Sequence, residues 1–92
     1  MHLEIVSPEA TLFSGEVDSV IVPGTSGSFQ MLNNHANIIS TLKEGTVIIS
    51  GKMDLDETVQ KKFNKQDKNT TLFEISSGTV EMKNNKLILL AD

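Results

Sequence analysis

The sequence predicts an all-β domain, a flattened β-sandwich or barrel of about eight to ten short strands. Two observations carry this prediction. Runs of β-branched or alternating apolar residues recur along the chain, and glycine, asparagine and proline separate them at close intervals. The chain also has no Trp, no Tyr and only four Phe, so its core must be aliphatic.

Length and composition limit the possible organisation. Ninety-two residues provide one hydrophobic core, so residues 1–92 are predicted to form a single domain. The absence of cysteine excludes disulfides, zinc ribbons and iron–sulfur ligation. A net charge of −4 makes nucleic acid an improbable partner. Acidic residues interrupt the start of the chain, which argues against a secretory signal.

The first strand is predicted over residues 2–6, where Leu3 and Ile5 point to one face and polar residues to the other. Pro8 cannot donate a hydrogen bond to a strand ladder, so the strand ends before it or lies at an edge. Leu12-Phe13 forms a short apolar segment before the turn at Ser14-Gly15.

A hairpin is predicted next, and it is the stretch around which the chain is organised. Four of the six residues 17–22 are β-branched and apolar, as expected of a buried strand. Pro23 and Gly24 should end that strand, and Gly24 and Gly27 should allow positive φ in the reversal. Residues 28–32 then return as the second strand of the hairpin.

The remaining strands follow the same pattern of short apolar runs separated by turn residues. Asn84-Asn85 is predicted to form a hairpin turn, because asparagine tolerates left-handed φ. The last strand is apolar on both faces, which indicates a central or covered position. The predicted strands in this part of the chain are residues 38–42, 46–50, 71–76, 79–83 and 86–91.

The polar segment 51–70 interrupts the strand pattern and has two interpretations. Apolar residues at every fourth position from Leu55 to Phe63, with Asp54 and Glu57 placed like a capping box, favour a short amphipathic helix. The high Gln, Asn and Lys content favours a long loop with little to bury.

No residue pattern indicates chemistry. His2 and His35 are far apart in the sequence and lack nearby partners for a metal site. The glycine-rich turn 24–27 lacks the lysine and the helix of a phosphate loop. The carboxylates of 54–57 and the lysines of 61–68 lie in the polar segment, where a solvated surface is expected. We therefore predict no catalytic residue, no metal and no cofactor.

Short motifs distributed along the chain nevertheless resemble one family. In order and spacing they are similar to those of the N-terminal domain of the epsilon subunits of F-type ATP synthases. The chain departs from the family pattern at Asn33-Asn34, where Pro-Gly is usual, and at Ser28, where many members carry an acid. The Asn33-Asn34 change predicts a less rigid loop. The matching motifs are VSP at 6–8, LFSG at 12–15, PGTSG at 23–27, HA at 35–36, TLKEG at 41–45, SSGTVE at 76–81 and LAD at 90–92.

The resemblance implies a non-catalytic central-stalk rotor subunit of a proton-translocating ATP synthase. Such a subunit couples rotation of the membrane ring of c subunits to the gamma subunit and the catalytic head. It would lie on the cytoplasmic face of the inner (plasma) membrane, attached through protein partners. The resemblance places the ring contact at Ser28, Phe29, Gln30 and Met31, and the gamma contact at Ser7, His35 and Ser40.

The resemblance also sets a limit on the expected activity. The chain ends where the family's C-terminal helical hairpin would begin, and that hairpin binds ATP in some members. No nucleotide is therefore expected. A free-standing β-sandwich that binds a carbohydrate or peptide is the alternative, although the chain lacks the Trp and Tyr of typical sites. The polar loop 33–37 suits a partner contact in the rotor interpretation.

Overall fold

A computed structural model describes residues 1–92 and confirms the all-β prediction. It contains ten strands and one short 3₁₀ turn, η1. That turn, of three residues, is the only helical segment, and no helix is long and apolar enough to cross a membrane. The elements are β1 His2–Val6, β2 Thr11–Glu16, β3 Ser19–Gly24, β4 Gly27–Leu32, β5 Ile38–Leu42, β6 Gly45–Ser50, η1 Gln60–Lys62, β7 Asn64–Lys65, β8 Thr70–Ile75, β9 Gly78–Lys83 and β10 Lys86–Ala91.

The strands form one continuous sheet that curls into two halves. The order is β2-β1-β10-β9-β5-β3-β6-β8-β7, and β4 pairs only with β3. The two halves join where β5 meets β3 through a single residue pair, Leu42 and Gly24. All pairings are antiparallel except that of β1 with β10, which places His2 beside Lys86. The predicted central position of the last strand is confirmed, because β10 lies between β1 and β9.

The core lies between the two halves and is almost entirely aliphatic. Twenty-one buried hydrophobic residues form one cluster. Alternate residues of each strand point inward, so the prediction for Leu3 and Ile5 is confirmed, and both side chains are fully buried. The equivalent inward pairs of the other central strands are Leu87 and Leu89, Val20 and Val22, and Val47 and Ile49.

The central hairpin forms as predicted, but its bounds and its glycines differ from the prediction. Strand β3 begins at Ser19 and continues through Pro23 and Gly24, which pair with Ser28 and Gly27. Of the two turn glycines, Gly24 and Gly27, only Gly27 has positive φ, at +131°. Gly24 is needed for space instead, because an added Cβ would lie 2.7 Å from the Gly27 carbonyl oxygen.

Segment 51–70 forms no α-helix. The segment contains only the 3₁₀ turn η1 and the two-residue strand β7. It is nevertheless anchored, because Met53 and Phe63 are buried in the core. The Phe63 ring stacks on Phe73 of β8 with a centroid distance of 4.8 Å. Two non-local apolar anchors therefore hold a segment whose local composition is polar.

Candidate functional site

Strand β4 carries the four residues predicted to contact the ring, and they alternate in direction. Ser28 and Gln30 are exposed, and Phe29 is half-buried against the core. Met31 is fully buried and pairs with Val20 of β3. The assignment of Met31 to a contact surface was therefore wrong, because its side chain is part of the core. Residues 28 and 30 remain available to a partner.

The exposed side of β4 continues onto two neighbouring strands as an uncharged surface. Gln30 pairs with Ile21 of β3, which pairs with Ile48 of β6, and both isoleucines are half-buried. Leu32, next along β4 on the same side, is 54% exposed. We call Ser28, Gln30 and Leu32 the β4 outer face. The sequence did not indicate that Ile21 and Ile48 border this face, because β3 and β6 are apolar on both sides.

The polar loop 33–37 is exposed as predicted, but it is not loosely held. Asn33 Oδ1 accepts a hydrogen bond of 2.9 Å from Asn85 Nδ2. Asn85 Oδ1 accepts one of 2.7 Å from the Asn34 backbone N–H. The Asn84 N–H donates to Asn37 Oδ1 over 3.2 Å. These bonds fasten the loop to the turn between β9 and β10, contrary to the expectation of a less rigid loop.

The His35 side chain is oriented by its own loop. Its Nδ1 lies 2.7 Å from the Ala36 carbonyl oxygen, which can only accept, so Nδ1 carries the proton of this hydrogen bond. In the neutral imidazole the other nitrogen, Nε2, is then a free acceptor. The ring is half-buried. His35 can therefore receive a hydrogen bond from a donor on a partner.

The three residues predicted to contact gamma do not lie together. The His35 loop is bonded to Asn85, at the end of the sheet where β10 begins. Ser7 follows Val6, whose partner Leu90 is near the opposite end of β10. Ser40 is half-buried on β5 beside Val80. A single partner that touches all three must extend along the length of the strands.

One serine and one histidine do come together, although the sequence did not single them out. The Ser14 hydroxyl lies 3.2 Å from His2 Nε2, and His2 Nδ1 lies 3.1 Å from a Glu16 carboxylate oxygen. The arrangement is on the open side of the sheet, where the Glu16 side chain is 74% exposed. Because nothing there excludes water, these contacts form a solvated surface network. No group of three His, Cys, Asp or Glu residues is placed to hold a metal ion.

The Asp56 carboxylate accepts two hydrogen bonds within its own turn. The backbone N–H of Thr58 and then its hydroxyl donate to the carboxylate, each over 3.0 Å, and they lower the pKa of Asp56. Because the pKa of Asp56 is lower in the folded state than in the unfolded state, its ionised carboxylate stabilises the folded turn at pH values above the unfolded-state pKa. This stabilisation is lost as the pH falls through the folded-state pKa.

We expect Thr58→Val to raise the pKa of Asp56 toward its usual value, because valine keeps the shape and the backbone donor but removes the hydroxyl donor. Carboxyl-detected NMR titration measures this change. Thr46→Val, on β6, is the matched control and should leave the Asp56 titration unchanged. Identical Asp56 curves in wild type and Thr58→Val would contradict a role of the hydroxyl.

Comparison with known proteins supports the resemblance noted in the sequence. The profile of the family described as "ATP synthase, Delta/Epsilon chain, beta-sandwich domain" matches residues 1–92. The ATP synthase epsilon chain of Campylobacter curvus is 37% identical over 92 residues, which is all of this chain and 60% of that protein. The epsilon chain of Chlorobaculum tepidum is 38% identical over 90 residues, covering 98% of this chain and 86% of that protein.

Two solved structures share the fold at low sequence identity. A chain in the Tetrahymena thermophila mitochondrial ATP synthase central stalk and c-ring structure aligns with a TM-score of 0.67 and 13% identity. It matches 99% of this chain and 62% of its own length. A chain of the Euglena gracilis mitochondrial enzyme aligns with a TM-score of 0.73 and 12% identity, over 97% of this chain and 48% of its own. The shared part is therefore the sandwich.

Proposed function

The chain belongs to the delta/epsilon family of ATP synthase chains, and from this membership we propose that it is a central-stalk rotor subunit. Members of this family are stalk subunits and not catalytic ones. In the proposed role the chain couples rotation of a membrane ring to the gamma subunit and the catalytic head of a proton-translocating F-type enzyme. It is peripheral to the membrane as part of that complex, and we place it on the cytoplasmic face.

The observation that carries this proposal is the family match over the whole chain, at residues 1–92. The architecture supports it physically. A part that transmits rotation must resist deformation, and here ten strands enclose one close-packed aliphatic core.

We propose that the ring contact is made by the β4 outer face together with the edge of Phe29. Strand β4 is at an edge of the sheet, because it pairs only with β3. The exposed side chains Ser28 and Gln30 are neutral hydrogen-bonding groups beside half-exposed aliphatic ones. That chemistry suits uncharged polar loops on a partner. Met31 supports this contact from below, by fixing the strand on the core.

Gln30→Arg tests the ring contact. A guanidinium group on this uncharged face must lose water without gaining a counter-ion, so we expect association with the purified ring to weaken about tenfold. Co-elution with the detergent-solubilised ring by size exclusion, followed by titration, measures the effect. Gln66→Arg, the same substitution in the exposed part of segment 51–70, is the matched control. Equal affinities of the two variants would contradict the proposed contact.

We propose that gamma contacts His35, Ser40 and Ser7 along the length of the sandwich. His35 offers its Nε2 as an acceptor, so the expected partner group on gamma is a hydrogen-bond donor. Ser7 and Ser40 hydroxyls donate to nearby backbone carbonyls, at 3.2 Å each, and keep acceptor capacity for a partner.

His35→Ala is expected to weaken binding to purified gamma about fivefold, the effect of losing one partly buried hydrogen bond. Isothermal titration calorimetry of the purified pair measures it. His2→Ala is the matched control, because the second histidine lies in the solvated network with Glu16. Should neither gamma nor the ring bind wild type, the rotor proposal fails and the free-standing ligand-binding interpretation replaces it.

A further inference from the structure

Three strands pair with a neighbour on one side only, and β4 differs from the other two, β2 and β7. The ladder of β2 shifts register between Ile5 and Val6, and the strand ends at Glu16. Strand β7 has two residues, one of which is Lys65. Strand β4 has six residues, pairs with β3 in one unbroken register and contains neither a charge nor a proline. Because bulges, short strands, charges and prolines prevent an edge from pairing with another chain, β4 is the unprotected edge of this sheet.

The hairpin determines which backbone groups of β4 face outward. The Lys43 N–H donates to the Pro23 carbonyl oxygen over 2.9 Å, so that carbonyl points away from β4. Since Pro23 also lacks an N–H, Ser28, which pairs with it, makes no backbone bond to β3. Bonded and non-bonded pairs alternate along an antiparallel ladder, so Gln30, opposite Ile21, is in the same position as Ser28. The N–H and C=O groups of both residues therefore point away from the sheet, and no backbone group of a turn or loop bonds to them.

The free backbone groups of β4 are complementary to those of a second copy of the same strand. In an antiparallel pair centred on Gln30, this residue lies opposite its own copy, and the two exchange N–H···O=C bonds in both directions. Leu32 pairs with Ser19 in the same alternation, so its N–H also faces outward. In the centred register Leu32 lies opposite Ser28 of the second copy and can donate to its carbonyl oxygen. One two-fold axis therefore provides partners for the outward groups of both strands.

The side chains of β4 also suit this pairing. Phe29 is only partly buried against the core, and the same register places it beside Met31 of the second copy. The outward residues Ser28, Gln30 and Leu32 are neutral, so the pairing brings no like charges together. The other one-sided strands, which carry Glu16 and Lys65, would each place a charge at the junction. Charge and hydrogen-bond register therefore favour a second β4 over the other edges of the chain.

We propose that, outside any larger complex, two copies of this chain pair through β4 as a symmetric antiparallel dimer. The strands β4-β3-β6-β8-β7 of each copy then continue into one sheet across the two-fold axis. The dimer covers the one edge that has no protection of its own. It also covers the edge of Phe29, which the proposed ring contact uses, so dimerisation and ring binding exclude each other.

Sedimentation equilibrium of the whole chain over a concentration series tests the proposal, and we expect a reversible monomer–dimer equilibrium. Gln30→Pro removes the central outward N–H from both copies without removing a bond to β3, so it should raise the dimer dissociation constant at least tenfold. Gln30→Ala, which keeps the N–H, is the matched control, and circular dichroism melting verifies that each variant is folded. A wild type that stays monomeric throughout the series would overturn the proposal, and so would an unchanged dissociation constant in folded Gln30→Pro.

Single cysteines test the register, and they do so even if Gln30→Pro does not fold. The chain has no cysteine of its own. At position 30 the two Cα atoms would be about 5.5 Å apart, within the range of a disulfide. Gln30→Cys should therefore cross-link under mild oxidation at least tenfold faster than Ser28→Cys, an equally exposed position that does not face its own copy. Equal rates would overturn the symmetric register. Neither experiment uses gamma or the ring, so failure here is separate from failure of the rotor proposal.

Discussion

Met31→Asp is expected to unfold the chain at neutral pH. The side chain is fully buried beside Val20 in the hydrophobic core cluster, where an ionised carboxylate would lose its water. Burying an unpaired charge costs several kcal/mol, a large part of the 5–15 kcal/mol that stabilises a typical domain. Loss of the cooperative transition in circular dichroism melting, with collapse of amide dispersion by NMR, measures the effect.

Gln30→Asp is the control for this result, because it places the same carboxylate on the exposed side of the same strand. We expect its melting temperature to stay within about 4 °C of wild type. If the Met31→Asp variant folded and the Gln30→Asp variant did not, Gln30 would be the buried residue and Met31 the exposed one. That result would contradict the orientation of β4 described above. A one-residue slip in strand register produces that reversal, and it would return Met31 to the contact surface that the family resemblance implied.

Gly78→Ala is expected to cause the second largest loss of stability. A Cβ at this position would collide with the backbone carbonyl oxygen of Leu90, which cannot move without breaking the ladder. Gly78 pairs with Leu42 of β5 and Ala91 of β10, so the collision would separate three strands. We expect a loss of about 3 kcal/mol, or a melting temperature lower by roughly 15 °C.

Thermal and urea denaturation followed by circular dichroism measure this loss. Thr79→Ala, at the next position of β9, introduces alanine without the backbone collision and should cost no more than about 1 kcal/mol. Equal losses in the two variants would show that strand propensity, and not the close approach of β9 to β10, determines the outcome at position 78.

Local patterns predicted most of the strands because each pattern is a direct consequence of burial. Leu3 and Ile5 alternate with polar residues in a strand that has one buried side, and the last strand is apolar on both sides because it is central. The Asn84-Asn85 turn was equally predictable, since both residues adopt positive φ, at 51° and 61°. Pairing between β1 and β10 joins distant parts of the chain, and no local pattern encodes it.

The candidate site was predictable only where strand alternation determines it. Alternation alone separates Ser28 and Gln30 from Met31, but the resemblance had grouped these residues as one edge. The anchoring of segment 51–70 depends on the stack of Phe63 on Phe73, a contact between distant positions. The bonds from loop 33–37 to Asn85 are likewise non-local. At these places the local sequence shows which residue types are present, but it does not show which distant residue each side chain contacts.

The parallel pairing of β1 with β10 has a consequence for how the chain acquires its structure during synthesis. Leu3 and Ile5 are synthesised long before the strand that pairs with theirs along one edge, Lys86–Ala91, which follows more than eighty residues later. Closing so long a loop costs chain entropy before the contacts that compensate for it can form, and this raises the kinetic barrier to folding. Sandwiches of high contact order accordingly fold in milliseconds to seconds. Until β10 is synthesised, one edge of the first strand therefore remains unpaired and its apolar side chains remain exposed. The chain is therefore more prone to aggregate during this interval than after the sandwich has formed.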